Sequence, residues 1–358
     1  MSVVSRWLPG WGRAVLFAAP LALQAVLLPG IAAAGPALLV DDTSGDVLFA
    51  DSPDQSWYPA SLTKLMTAYV TFEAISRGQI TLQSVVPLSE KARAQPATRI
   101  GLRQGIELNV EQAVRGLILR SANDFAMALA ELIGGSEEGF AEKMNASAKQ
   151  IGMTRSHFVN PHGLPEPTQT TTARDLAMLA RAIYKDFPER LEMFSTMSFV
   201  IHRGTFHSQN DLLRTLPGAE GMKTGFTCGA GYNVVASATR DGQRIIAIVL
   251  GEQRREERSA KATDLLEHGF KTAAWKRLVG APQLAKLELD PPGVAPVYDM
   301  SRETMTRQCG NRVRRVRSVV AQARVKAARP GAAIVTGSTP APAAPGAVSK
   351  QGAVAGNR

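Results

Sequence analysis

The sequence predicts a mixed α+β fold, on three observations. Short apolar runs at 37–40 and 47–50 flank the Gly-containing turn 41–45 and read as a β-hairpin. Runs at 232–239 and 244–250 flank Asp241-Gly242, the strongest short-range hairpin signal. Between the two hairpins, apolar residues recur at helical spacing, and strands segregated from a block of helices are the α+β pattern.

Residues 57–77 are the first helix. Pro59 near its start and Gly78 past its end are first-turn and C-terminal signals. Leu65, Met66, Ala68, Tyr69, Val70 and Phe72 leave almost no polar face, so the helix is expected to be buried. Its first turn nevertheless carries Ser61 and Lys64, three residues apart and projecting from one side.

A second helix is expected over 110–119 with Asn109 as cap, a third over 125–133 ending at Gly134-Gly135, and a fourth over 137–151 ending at Gly152. Residues 158–165 are loop chemistry, dense in Pro, Gly and Asn. Thr172 and Asp175 have the spacing of a capping box and open a helix to about Lys185. Residues 199–201 and 205–207 suit a short hairpin around Arg203-Gly204. Residues 221–225 are expected on a strand beside 232–239, and a last helix over 257–270 packs Ala262, Leu265, Leu266 and Phe270.

Composition narrows the function. The chain has 358 residues and a formal net charge of +10. From Thr304 onward there are ten Lys/Arg and no Asp or Glu, leaving 31 basic and 31 acidic residues in 1–303. The positive charge is therefore a property of the tail, which argues against a nucleic-acid-binding domain.

Arg6 and Arg13 precede an apolar run to about Ile31, and Ala32-Ala33-Ala34 offers a small-residue cleavage site. Residues 1–34 are thus expected to be a signal peptide and the protein to be exported. In that oxidising setting Cys228 and Cys309 are candidates for a disulfide, with two buried thiols as the alternative. The five histidines are scattered and no metal-ligand spacing is present, so neither a metal nor another cofactor is expected.

The last thirty or so residues are Ala, Pro, Gly and basic, and too poor in large apolar groups to offset their own ordering entropy. Within 312–329, Val313, Val316, Val320, Ala323 and Ala327 fall at helical spacing among arginines. A basic helix on an anionic membrane surface and a solvated tail both fit that stretch.

Three short motifs carry chemistry: Ser61-x-x-Lys64, Ser121-x-Asn123 and Lys223-Thr224-Gly225. Each alone has a bland reading as a cap or a turn. Their order and their placement on a helix start, a helix junction and a strand make the set specific. With Pro59 to Lys64, Ser121-Ala-Asn-Asp124, Phe158-Val-Asn-Pro161, Lys223 to Thr227 and Gly231 to Ser237, the chain resembles the low-molecular-mass penicillin-binding proteins. These are the serine-type D-alanyl-D-alanine carboxypeptidases, and the resemblance spans about 37–270.

That resemblance implies a β-lactamase/transpeptidase-like fold, an antiparallel sheet flanked by helices plus a helical lobe, with the active site between them. It implies a domain division into 1–34, a catalytic part 35–275, a short extension 276–310 and a tail 311–358. The substrates it implies are peptidoglycan stem peptides ending in D-Ala-D-Ala, with β-lactams as inhibitors. The location it implies is the periplasm. Only about 40 residues separate Phe270 from the arginine-rich stretch, so a separate β-rich domain is expected to be missing or vestigial.

The residue roles follow from chemistry. A serine hydroxyl needs a base within hydrogen-bond reach, and Lys64 is placed to be one. A free lysine titrates near 10.4, so making it neutral at pH 7 requires its pKa to fall by about three, roughly 4 kcal/mol. Burial and the second cation Lys223 both push that way.

The Ser61 N–H at a helix start suits a developing oxyanion, and the resemblance adds the Phe226 N–H. Ser121 is the candidate proton relay, and Asn123 holds Lys64 or the substrate amide. Lys223 and Thr224 suit a C-terminal carboxylate, and Gly225 permits close backbone approach. Arg258 matches the family's further carboxylate-binding arginine, with Arg254 and Arg255 nearby. A D,D-endopeptidase or a β-lactamase with the same nucleophile remains open, as more remotely does a non-catalytic wall-binding module. No Glu-x-x-Leu-Asn loop of class A β-lactamases is present.

Overall fold

The computed structural model describes residues 35–288 and Cys309. The expected signal peptide 1–34 and the basic stretch 312–329 lie outside the described residues. No helix among the described residues is long and apolar enough to cross a membrane.

Both terminal hairpins form, and they join one sheet. β1 (Ala37–Asp41) and β2 (Val47–Asp51) pair antiparallel. β3 (Ser198–Ile201) and β4 (Gly204–His207) make a separate two-stranded ribbon. β5 (Ala219–Thr227), β6 (Gly231–Arg240) and β7 (Gln243–Glu252) complete a five-stranded antiparallel sheet of order β2-β1-β7-β6-β5. Asp241 and Gly242 both have positive φ, as the two-residue turn between β6 and β7 demands.

The sheet is covered on both faces, which explains the unbroken apolar run in its middle strand. Ile246, Ile248 and Leu250 enter the core shared with the helices, whereas Ile245, Ala247 and Val249 meet Leu265 and Leu266 of the Arg255–Val279 helix. Alternate residues of a strand point to opposite faces, so a strand buried twice needs apolar residues throughout. The helices Val110–Leu119, Asn123–Gly134 and Glu137–Gln150 form the lobe beyond the sheet. Asn109 and Gln112 make the full reciprocal cap of the first of these.

Three elements differ from expectation. The first helix does not begin at Trp57, which instead forms a bridge with Thr171. A 3₁₀ turn, Ala60–Leu62, precedes the α-helix Thr63–Ser76, because Ala60 takes a positive φ of 49° after Pro59. Thr172 caps the Ala173–Asp186 helix by accepting from Asp175 N–H, but no box forms. The Asp175 carboxylate is taken by Arg155 N–H and Ser156 Oγ–H instead. The last helix runs through Gly269, which packs closely on Ile245 and Leu39, and ends at Val279, where Gly280 takes φ +81°.

Residues 281–288 fold back onto this body. Arg174 pairs with Asp54 at 2.6 Å and donates to the carbonyls of Leu284, Leu287 and Glu288. At the β5–β6 turn, Cys228 is joined by a disulfide to Cys309, with Cα atoms 5.7 Å apart.

The loop 158–165 is locked against the turn that carries Ser61. Gly163 sits at φ +83°, and a Cβ there would lie 1.8 Å from the Ala60 carbonyl oxygen. Gly163→Ala is expected to destabilise the protein by about 3 kcal/mol, lowering Tm by roughly 6–12 °C in a scanning experiment. An unchanged Tm would contradict this packing.

Candidate active site

The site lies where the 3₁₀ turn, the helix junction and edge strand β5 converge. Ser61 sits in the turn, and Lys64 is the second residue of the helix that follows. Gly225 of β5 lies against the same turn. A Cβ on it would come within 3.1 Å of the Pro59 carbonyl and 3.2 Å of the Ser61 nitrogen. Asn233 of β6 fastens the arrangement, its Nδ2–H₂ donating to the Tyr58 and Pro59 carbonyls while its Oδ1 accepts from Gly251 N–H.

Lys64 is 1% exposed, and three oxygens surround its Nζ. They are Ser61 Oγ at 3.2 Å, Asn123 Oδ1 at 2.8 Å and the His162 carbonyl at 2.5 Å. Burial drives the Lys64 pKa well below its ordinary 10.5, and the positive charge of Lys223 pushes it the same way against the pull of Asp124. His162 is also buried, and desolvation together with Lys64 lowers its imidazole to about 3. Its Nε2 is 3.6 Å from Glu137, but the ring is neutral at working pH, so this contact is no ion pair.

Asn123 uses both ends of its amide, accepting from Lys64 and donating Nδ2–H₂ to the Pro96 carbonyl at 2.9 Å. Asp124 gathers the N–H groups of Ile100 and Gly101, which fixes the loop beyond Pro96. Ser121 stands between two helices at φ 58°, and its buried hydroxyl has no hydrogen-bond partner among the described residues.

On β5, Lys223 shares by strand alternation the face on which Gly225 meets the turn. It is 1% exposed, its Nζ donates to the Thr224 carbonyl at 2.9 Å, and burial with Arg258 lowers its pKa to about 7.

These groups border an open cleft of about 870 Å³. Ser61, Ser121, Thr224, Gly225, Phe226 and Arg258 all line it, and Lys64, Asn123 and Lys223 are buried beside it. Phe226 stacks on Tyr232 across the strands, with ring centroids 4.2 Å apart. Arg258 is 3% exposed, and burial followed by Arg255 lowers its pKa to about 10. A second groove of about 780 Å³, near Tyr69 and Arg181, contains none of the motif residues.

The structure thus brings Ser61, Lys64, Asn123, Ser121, Thr224, Gly225, Phe226 and Arg258 to one place. Cys228 follows the β5 strand end, outside the cleft lining. Sequence reasoning missed His162, whose contribution is a backbone carbonyl and so leaves no residue-type signature. The nearest signal was the Asn-Pro-His-Gly loop itself. It also missed Asn233, although that residue lies inside a quoted motif.

An antiparallel sheet with a helical lobe and a Ser-x-x-Lys turn at the sheet edge is the architecture of the penicillin-binding proteins. The structure is similar to penicillin binding protein 5 from Haemophilus influenzae, with a TM-score of 0.64 at 38% identity over 66% of this chain and 71% of that one. It is similar also to penicillin-binding protein D2 from Listeria monocytogenes in the ampicillin-bound form. There the TM-score is 0.62 at 31% identity, over 66% of this chain and 97% of that one.

The family model for peptidase S11, D-alanyl-D-alanine carboxypeptidase, matches residues 24–254, and the chain belongs to that family. The D-alanyl-D-alanine carboxypeptidase DacC of Escherichia coli is 39% identical over 241 residues, covering 65% of this chain and 60% of that protein. DacA of Haemophilus influenzae is 38% identical over 239 residues, 65% of this chain and 61% of that protein. The matched region thus spans about three fifths of these relatives.

The charge coupling between the two lysines has a direct test. Lys223→Gln is expected to raise the Lys64 pKa, since a like charge is removed. ¹⁵N NMR of the Lys64 Nζ resonance measures this, and an unchanged or lower midpoint would contradict the coupling.

Proposed function

We propose that the protein is an exported, periplasmic serine D,D-carboxypeptidase that removes the terminal D-Ala from peptidoglycan stem peptides and is acylated by penicillins. The observation that carries the reading is the buried Lys64 amine in contact with Ser61 Oγ. In its neutral form that amine donates two N–H bonds, to Asn123 Oδ1 and the His162 carbonyl, and turns its lone pair to the serine hydroxyl. The amine is therefore aimed as a base without any further rearrangement.

In the proposed reaction Ser61 Oγ attacks the carbonyl carbon of the penultimate D-Ala while its proton passes to Lys64. The oxyanion develops toward the N–H groups of Ser61 and Phe226. As the tetrahedral species collapses, the C–N bond breaks and the leaving amine takes a proton through Ser121. Water then attacks the ester, Lys64 takes its proton and passes it to the departing Ser61 Oγ, and the shortened peptide leaves. Thr224 and Arg258 receive the terminal carboxylate, and the buried Lys223 acts on Lys64 through its charge. The acyl part lies along edge strand β5, with Gly225 leaving room for it.

Similarity to an ampicillin-bound relative supports β-lactam acylation of this chain. The body that carries this chemistry is the part from residue 35 onward, with Cys309 tied to it at the β5–β6 turn. Contact of 312–329 with an anionic membrane surface is part of the same proposal and rests on sequence alone.

Mass spectrometry with a pentapeptide ending in D-Ala-D-Ala is expected to show release of one D-Ala, and incubation with penicillin a long-lived adduct on Ser61. Ser61→Ala should lower both by at least about 10³-fold. Rapid penicillin turnover without an adduct would instead indicate a β-lactamase.

A further inference from the structure

The cleft holds more positive charge than one carboxylate requires. Four arginines line it, Arg120, Arg254, Arg255 and Arg258, against a single acid, Glu256. Three of the four are already engaged. Arg254 pairs with Glu257, Arg255 pairs with Asp211 at 2.6 Å, and Arg258 donates to Ser259 Oγ at 2.9 Å with Asp211 3.8 Å away.

Arg120 differs from the rest. It ends the Val110–Leu119 helix on the opposite wall, immediately before Ser121, and its guanidinium makes no hydrogen bond or ion pair among the described residues. Nor is the arginine wall saturated, since Arg258 Nε is buried without a partner. A guanidinium left free on the wall of a cationic cleft is a receptor for a planar anion, which it holds through two parallel N–H bonds.

We infer that Arg120 determines specificity by binding a second carboxylate of the substrate peptide, distinct from that of the terminal D-Ala. The inference rests on the carboxypeptidase reading. The residue released in that reaction is a single D-Ala whose one carboxylate meets Thr224 and Arg258. A further anion must therefore belong to the acyl-donor part. A residue joined to its neighbour through its side-chain carboxyl keeps a free α-carboxylate, and that is the chemical group Arg120 fits. A wall peptide amidated at that position offers no charge and loses the contact.

Two synthetic pentapeptides ending in D-Ala-D-Ala test this. One carries a free α-carboxylate on a γ-linked D-glutamyl residue, and its twin of equal size carries the amide there. The unmutated protein is expected to prefer the acid about tenfold in kcat/KM, the scale of one charge-assisted hydrogen bond. That preference should shrink as salt is raised. Arg120→Gln should bring the acid-to-amide ratio close to one, and Arg120→Lys should keep part of the preference. Circular dichroism and the Tm of each variant check that its fold is intact.

Equal turnover of both twins by the unmutated protein, or a preference that survives Arg120→Gln, would overturn the inference while leaving the carboxypeptidase reading in place. Turnover of neither twin would overturn both.

Discussion

Everything in the site depends on burying one amine. Lys64 is enclosed at the start of a helix with almost no exposed surface, and its nitrogen meets three oxygens from three parts of the chain. Burying a charged ammonium is costly, and the group responds by giving up its proton more readily. The fold accepts a destabilised lysine, and in the proposed reading that lysine serves as the base. Asn123 comes from the helical lobe, His162 from the loop after it, and Ser61 from the turn between strand and helix. The packing of lobe against sheet is thus what sets the chemistry of the amine.

The sheet supplies the second constraint. β5 is an edge strand, so one side remains unpaired and faces the cleft, while β6 holds the other. The turn bearing Ser61 packs against β5 at Gly225. Asn233, one strand further in, holds the carbonyls just before that turn. A backbone edge, the Ser61 hydroxyl and the Lys64 amine are therefore fixed relative to one another by buried hydrogen bonds rather than by surface ion pairs. Such positioning makes the site rigid where the reacting atoms sit.

Much of this was legible in the sequence, for reasons that differ by element. The β6–β7 hairpin was readable because Asp241-Gly242 has few uses other than a two-residue turn. The burial of the first helix was readable because its apolar residues leave no polar face. Ser61 and Lys64 were readable because a hydroxyl and an amine at that spacing conflict with burial. The 3₁₀ turn at Ala60–Leu62 was not readable, since it depends on the Gly163 loop packing over it from a hundred residues away. The His162 carbonyl left no trace because every residue has one. The burial of Lys223 near Arg258 follows from tertiary packing, which the Lys-Thr-Gly motif does not encode.

The central proposal is that Ser61 is activated by a Lys64 whose pKa burial holds well below the ordinary lysine value. The most direct measurement is the second-order rate constant for penicillin acylation of the protein across pH. A base with a lowered pKa is fully competent above that pKa and loses competence as pH falls through it. The rate is therefore expected to rise on an acid limb well below pH 10.5 and to be level before the ordinary lysine range is reached. A rate that keeps climbing tenfold per pH unit up to about pH 10 would show an ordinary lysine and contradict the account.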